Sequence, residues 1–195
     1  MDNKKRDVQY KYNKTAEHYD LRYKNIQNNK IDFFLYMLKR SGIRFKFYTI
    51  LDIGCGTLTS YEKLNKYFQK TSHYIGIDFS IEMLKYGLSH NINKNFDIKL
   101  PSVILADAEN LPLKNEVADL VISLTVAQNL PDLTAHLKSI LNIIKKNSSI
   151  ILISFHKSFF SLNEIKSTLM KFSNIDFDYF DVDDIEDYLF VIKFN

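Results

Sequence analysis

Seven short apolar runs, most of them separated by stretches with helical periodicity, constrain this chain more than any other feature. The first five are YTILDIG, YIGIDF, SVILAD, ADLVISLT and SIILISFH. Runs of this length, rich in β-branched and aromatic residues, read as strands. The middle ones are almost continuously apolar, which suits strands covered by helices on both faces of a parallel sheet. The last two, IDFDYFDV and DYLFVIKF, lie only a short acidic turn apart. That gap leaves no room for a crossover helix, so the pair is expected to be antiparallel. The pattern predicts an α/β chain with a seven-stranded, mostly parallel sheet and an antiparallel terminal hairpin.

Helical segments fit between the runs. NNKIDFFLYMLKRSGI places Ile31, Phe34, Leu35 and Leu38 on one face and is expected to stop at Gly42. LPDLTAHLKSILNIIKK carries Leu133, Leu137, Ile140, Leu141 and Ile144 on one stripe, with lysines in its last turn, where the helix dipole favours them. SLNEIKSTLMKF opens with Ser161 and has Glu164 three residues later, the spacing of a capping box.

At 195 residues the chain is long enough for one well-packed domain and short for two. It has no repeat, low-complexity block or linker-like stretch, so residues 1–195 are read as a single domain. One cysteine, Cys55, excludes an internal disulfide and a cysteine cluster for zinc. The histidines (His18, His73, His90, His136 and His156) lack metal-ligand spacing and are expected to be structural or surface residues, so no metal site is assigned. The acidic run Asp181 to Asp187 reads as a solvated hairpin turn in preference to a cation site. With no leader-like segment and no run of about 18 apolar residues, the expectation is a soluble cytoplasmic protein without membrane association.

Charge is unevenly spread. Residues 1–50 hold 12 Lys/Arg against 5 Asp/Glu, and the remainder 14 against 18. The basic N-terminal segment is either a solvated surface or a face for an anionic partner such as RNA.

The chemistry centres on ILDIGCGTLTS, residues 50–60. Asp52 ends a strand, and Gly54 and Gly56 follow, allowing a tight turn and close approach of a ligand to the backbone. Twenty-two residues beyond Gly56, Asp78 ends the next strand, placed to accept hydrogen bonds from ribose hydroxyls. NAD and S-adenosylmethionine are both allowed to this point. Thr59 stands where the dinucleotide pattern wants Gly or Ala, and the chain carries no second substrate domain, which favours S-adenosylmethionine. Asp52 is placed to hold either the cofactor's ammonium or the loop amides. Leu58 stands where a third glycine is usual; because leucine resists positive φ, an ordinary backbone is expected there, with a helix starting nearby. Cys55 reads as a small space-filler more readily than as a nucleophile.

In LDIGCGTLT, YIGIDFSIEML, VILADAENLPLKNEVADLVIS and LVISLTVAQNLPD, taken in order, the chain resembles the class I S-adenosylmethionine-dependent methyltransferases over roughly residues 45–195. The resemblance implies a Rossmann-like three-layer sandwich, with a catalytic core at 45–195 behind an N-terminal helical lid segment at 1–44. It further implies that Asp52, Gly54 and Gly56 form the cofactor loop and that Asp78 binds ribose. Phe79 and Met83 would flank adenine, Asp107 would meet its amino group, Ala108 would offer a backbone amide and Leu124 would lie under the cofactor. Within TAEHYDLRYKN, Tyr19 would close on the methionine part, with Tyr12 and Tyr23 lining the entrance; otherwise these tyrosines only pack on the sheet.

Methyl transfer from a sulfonium needs orientation and exclusion of water more than a catalytic triad, and no catalytic residue is assigned. The segment SLTVAQNLPD lacks the NPPY-like sequence of enzymes that methylate exocyclic amines. Gln128 and Asn129 are expected either to face the acceptor or to cap the helix near Pro131. SVILAD is an apolar edge in the family's strand order, and YDLRYKNIQNNK is faintly similar to archaeal methyltransferases that bind a small zinc-ribbon activator. Pro101 or a covering loop would remove the need for such a partner. The expected function is methyl transfer to a small molecule or to an RNA or protein of the translation apparatus. The alternative is a non-catalytic subunit of the same fold that binds a partner protein.

Overall fold

Alternate residues along each strand enter two different cores, and that alternation builds the molecule. In a computed structural model describing residues 2–40, 49–68, 73–92, 101–146 and 149–194, the strands are β1 (Thr49–Ile53), β2 (His73–Asp78), β3 (Ser102–Leu105), β4 (Leu120–Ser123), β5 (Ile150–His156), β6 (Ile175–Asp181) and β7 (Asp187–Phe194). They form one sheet in the order β3-β2-β1-β4-β5-β7-β6, parallel through β5, with β7 antiparallel to both β5 and β6. Leu51, Val121, Ile151 and Phe190 point into one core, while Ile50, Leu120, Leu152 and Leu189 point into the other.

The helices divide accordingly. α4 (Leu133–Ile143) and α5 (Leu162–Leu169) cover the first face through Leu137, Ile140, Ile165 and Leu169. α1 (Asn3–Arg40), α2 (Tyr61–Tyr67) and α3 (Ile81–Ile92) cover the second through Ile31, Phe34, Leu64 and Leu84. The result is the expected three-layer α/β/α sandwich. The capping box of α5 is present: Ser161 Oγ accepts from the backbone N–H of Glu164, and the Glu164 carboxylate accepts from that of Ser161.

Several local expectations are corrected. The N-terminal helical patterns merge into one continuous 38-residue helix, α1, and Gly42 lies outside the described residues. α2 starts at Tyr61 and not near Leu58, because the glycine loop runs on through a buried turn. α4 ends at Ile143, where Ile144 leaves to form a bridge with Ala118. Lys145 is thereby carried past the helix end to pair with Asp119 at 2.8 Å. The acidic run is not all solvated turn, since Asp187 opens β7 and is fully buried.

For the site, two features matter. The sheet order reverses between β2-β1 and β4-β5, which opens a crevice at the carboxyl ends of β1 and β4. The first half of α1 crosses that crevice and is tethered mainly by polar contacts. Gln9 Nε2 donates to the carbonyl of Phe79, Ser80 Oγ donates to Asn13, and Lys4 Nζ donates to the carbonyl of Leu130. No helix among the described residues is long and apolar enough to cross a membrane.

Candidate active site

The loop after β1 is held by its own amides. Gly54 and Cys55 N–H both donate to the Ile77 carbonyl at 2.7 and 3.0 Å, and Gly56 N–H donates to Asp78 Oδ2 at 2.9 Å. Gly54 and Gly56 take φ of +70° and +53°, the left-handed region that glycine enters freely. A Cβ on Gly54 would lie 2.3 Å from Val126 Cγ2, so the loop and the exit of β4 approach as closely as backbone allows.

Leu58 is the clearest departure from expectation. It adopts φ +61°, not an ordinary backbone. The reason is packing: its side chain is 1% exposed and sits over Gly76 and Gly87. A Cβ on Gly87 would come within 2.7 Å of the Thr57 carbonyl and 3.0 Å of Leu58 Cγ. Burying a leucine contributes about 1.5–3 kcal/mol, which offsets the roughly 1–2 kcal/mol cost of a left-handed residue.

A cleft opens above this loop. Its walls are Ile53, Gly54, Ile77, Asp78 and Phe79 from β1 and β2, Ala106 and Ala108 beyond β3, and Leu124 to Val126 with Asn129 beyond β4. Lys5, Val8, Tyr12 and Tyr19 of α1 form its roof. A smaller recess, sharing Tyr19, Gly54 and Leu124 with the cleft, continues down to Asp52, Thr59 and Ser60.

Of the residues singled out in the sequence, Tyr19, Gly54, Asp78, Phe79, Ala108, Leu124 and Asn129 line the cleft, and Asp52 lines the recess. Tyr12 meets Tyr19 edge-on and Tyr23 lies tilted against it, with ring centroids 6.0 and 4.8 Å away. Four candidates lie elsewhere. Gly56 and the fully buried Met83 sit beneath the cleft floor, with the Met83 Cε 3.4 Å from where a Gly56 Cβ would be. Asp107 turns toward Lys5 Nζ at 2.5 Å, and Lys5 also pairs with Glu109. The side-chain oxygen of Gln128 is buried with no hydrogen-bond partner among the described residues. Asn129 does not cap α4; that role falls to Asp132, which accepts from the Ala135 N–H. Asn129 instead donates to the Tyr12 hydroxyl at 3.2 Å.

Electrostatics separate the two acids. Asp78 is pushed up by burial, although the amides of Ser80 and Gly56 oppose that rise. Asp52 is raised to about 6, chiefly by burial and secondarily by Asp78, against hydrogen bonds from Tyr74 and Ser60 that favour its charge. The Tyr74 hydroxyl donates to Asp52 Oδ2 at 2.6 Å. Since Ile77 and Asp78 hold the loop amides, Asp52 is left as a buried carboxylate in want of a cation. Burial also pushes the Cys55 thiol well up, which suits a space-filler and not a nucleophile.

A family model described as a methyltransferase domain matches residues 45–187. The chain belongs to the class I S-adenosylmethionine-dependent methyltransferases. It is 29% identical over 157 residues to a Bacillus cereus malonyl-[acyl-carrier protein] O-methyltransferase, covering 80% of this chain and 55% of that protein. It is 33% identical over 101 residues to a Staphylococcus saprophyticus demethylmenaquinone methyltransferase, covering 52% and 42%. The chain thus spans about half the length of the curated relatives it matches. The Synechocystis magnesium protoporphyrin IX methyltransferase, solved with S-adenosylmethionine bound, superposes with a TM-score of 0.75 at 18% identity, over 99% of this chain and 98% of that one.

The methyltransferase cleft fits that cofactor on its own observations. Two positive-φ glycines leave a backbone cradle that a Cβ at Gly54 would fill. Asp78 keeps lone pairs free for ribose hydroxyls after accepting two amides. The Asp52 recess offers a desolvated carboxylate to an ammonium. Several wall residues gave no sequence signal, among them Lys5, Val8 and Thr125, because their roles depend on which distant segments the sheet brings together.

Proposed function

We propose that this methyltransferase holds S-adenosylmethionine along the cleft, with Asp78 at the ribose and Asp52 at the ammonium, and methylates a small, largely apolar acceptor. The bound cofactor supplies a methyl group already activated on a sulfonium. The protein's part is to orient and to exclude water. Tyr19 roofs both the cleft and the recess, and the polar tethers of α1 hold that roof down.

The observation that supports this acceptor class is the wall of the cleft. Val8, Leu124, Val126 and Leu130 present hydrocarbon, while Thr125 and Asn129 supply isolated hydrogen-bonding groups. The titratable lining residues are Lys5, Tyr12, Tyr19 and Asp78. Both tyrosines are pushed up by burial and are poor bases. Asp78 accepts two amides and, in this reading, its remaining lone pairs are taken by the ribose. With Lys5 paired to Asp107 and Glu109 and no free base among the described lining residues, the cleft favours an acceptor that arrives as an anion or carries an acidic proton, as a phenol, enol or carboxylic acid does. Relatives named as a demethylmenaquinone methyltransferase and a malonyl-[acyl-carrier protein] O-methyltransferase are consistent with that chemistry.

The test is calorimetric titration with S-adenosylmethionine, with Asp78→Ala as control, followed by transfer of labelled methyl to phenols, carboxylic acids and tRNA. Micromolar binding lost in the control, with label on an acidic small molecule, supports the reading. Label on tRNA alone refutes the acceptor class.

A second reading rests on the β3 edge. Among the described residues β3 pairs only with β2, and Leu105 is half exposed at its end. Such an edge suits a partner protein such as a zinc-ribbon activator, or a partner-binding role without catalysis. A monomeric chain that saturates with cofactor and turns over alone refutes it.

A further inference from the structure

A buried polar cluster outside the cleft ties α1 to the exit of β4. Lys30, in the middle of α1, is 1% exposed, and Asp187, the first residue of β7, is 0% exposed. Lys30 Nζ lies 2.8 Å from Asp187 Oδ2 and donates to Thr125 Oγ1 at 2.6 Å. Ser154 Oγ of β5 donates to the same Asp187 oxygen at 2.6 Å and accepts from the Thr125 backbone N–H at 2.9 Å. Gln27, one turn back on α1, also reaches Thr125 Oγ1, at 3.3 Å.

Three of these bonds end on Thr125, a strained residue whose own hydroxyl lies 3.2 Å from Asp187 Oδ2. Thr125 has φ +60°, costly for a β-branched side chain and maintained only where the surroundings over-determine it. Thr125 lines the cleft, and its conformation sends Val126 back against Gly54. Hydrocarbon packing would suffice to fasten α1 here, as the adjacent Ile31 and, one turn later, Phe34 do. A buried ion pair is an expensive fastener, which points to a role in geometry.

We infer that Lys30 and Asp187 are positioning residues, which with Ser154 hold Thr125 left-handed and so set the Leu124–Val126 wall against the glycine loop for cofactor binding. This rests on the cleft being the S-adenosylmethionine site. Burial lowers the Lys30 ammonium's proton affinity while Asp187 opposes that fall, in keeping with a cation whose charge depends on its partner.

The test exploits the difference between breaking a buried pair and replacing it. Lys30→Met alone strands a buried carboxylate and is expected to destabilise the fold. The double variant Lys30→Met/Asp187→Leu substitutes hydrocarbon for both charges and is expected to melt within a few degrees of wild type. Three readouts follow: melting temperature, amide exchange at residues 124–126 in the cofactor-free chain, and the calorimetric Kd for S-adenosylmethionine. The expected result is retained melting, faster exchange, and a Kd weaker by about tenfold, since small misplacements in a preorganised site are costly. Retained melting with unchanged exchange and an unchanged Kd overturns the inference. Should the double variant not fold, Ser154→Ala removes the Thr125 N–H acceptor at small volume change and is judged by the same criteria. Absence of binding by the wild-type chain removes the cofactor reading and this inference with it; wild-type binding matched by the variants removes this inference alone.

Discussion

Replacing Asp52 by asparagine should make the cofactor-free chain more stable and the site worse. Asp52 is buried, and its folded-state pKa is raised from 3.8 to about 6. A carboxyl group whose pKa rises on folding binds its proton more tightly in the native state. Its ionisation therefore opposes folding, and the penalty grows as pH climbs from about 4 to about 6 and is constant above. That difference corresponds to roughly 3 kcal/mol at neutral pH. Asparagine keeps an oxygen for the Tyr74 hydroxyl but brings an amide that needs its own partner, so the expected net gain is about 1–2 kcal/mol. For a chain of this size that is a rise in Tm of roughly 3–6 °C. Below about pH 4, where Asp52 is neutral and only the amide's cost remains, Asp52→Asn should be less stable than wild type by about 1–2 kcal/mol, and the order should reverse by pH 6–7, followed by thermal melts across that range. In the same variant the ammonium of S-adenosylmethionine loses a charge-assisted hydrogen bond of about 1.5–3 kcal/mol, which weakens Kd by about 10- to 100-fold at pH 7.5. Wild-type affinity should likewise fall as pH drops through about 6. A variant that is less stable at pH 7 while binding cofactor normally refutes both the electrostatic account of Asp52 and its assignment to the ammonium.

Two loop substitutions bear on the same site. Gly54→Ala must place a methyl 2.3 Å from Val126 Cγ2 at φ +70°, so it should destabilise by at least about 1–2 kcal/mol and abolish measurable cofactor binding; urea denaturation and calorimetry together check this. Leu58→Gly relieves about 1–2 kcal/mol of backbone strain but empties a buried site worth about 2–5 kcal/mol, so a net loss of about 1–3 kcal/mol is expected in urea denaturation. An unchanged or raised midpoint would show that strain, not burial, dominates at Leu58.

Strand number and the terminal hairpin were legible because their signals are local, whereas the edge place of β3 came only with the family resemblance. A run such as SIILISFH can be covered on both faces only in mid-sheet, and the short gap before DYLFVIKF dictates antiparallel pairing. The capping box was legible for the same reason, being two residues three apart. The long continuous α1 was not. Its first half is a polar helix with Ala16 as its buried apolar residue, held down by bonds to the carbonyls of Phe79 and Leu130, and no periodicity announces such tethers. Lys30 and Asp187 gave no signal either. One sat in a basic segment and the other in an acidic run, and each looked like surface until the sheet placed β7 beside β5 and α1 across it.

The glycines show where the line falls. The chain has five, and the loop itself revealed two, Gly54 and Gly56, whose positive φ bends the turn. Gly76 in β2 and Gly87 in α3 serve the same loop from below. A Cβ on Gly76 would meet Cys55 Sγ at 2.8 Å, and one on Gly87 would meet the Thr57 carbonyl at 2.7 Å. Four of the five glycines thus shape the one turn at residues 54–60, two by conformation and two by making room. Leu58 could take a left-handed backbone because its side chain had those two bare patches to fill. The departure from the usual third glycine is therefore compensated within the fold, and the cradle keeps its shape with a leucine as its keel.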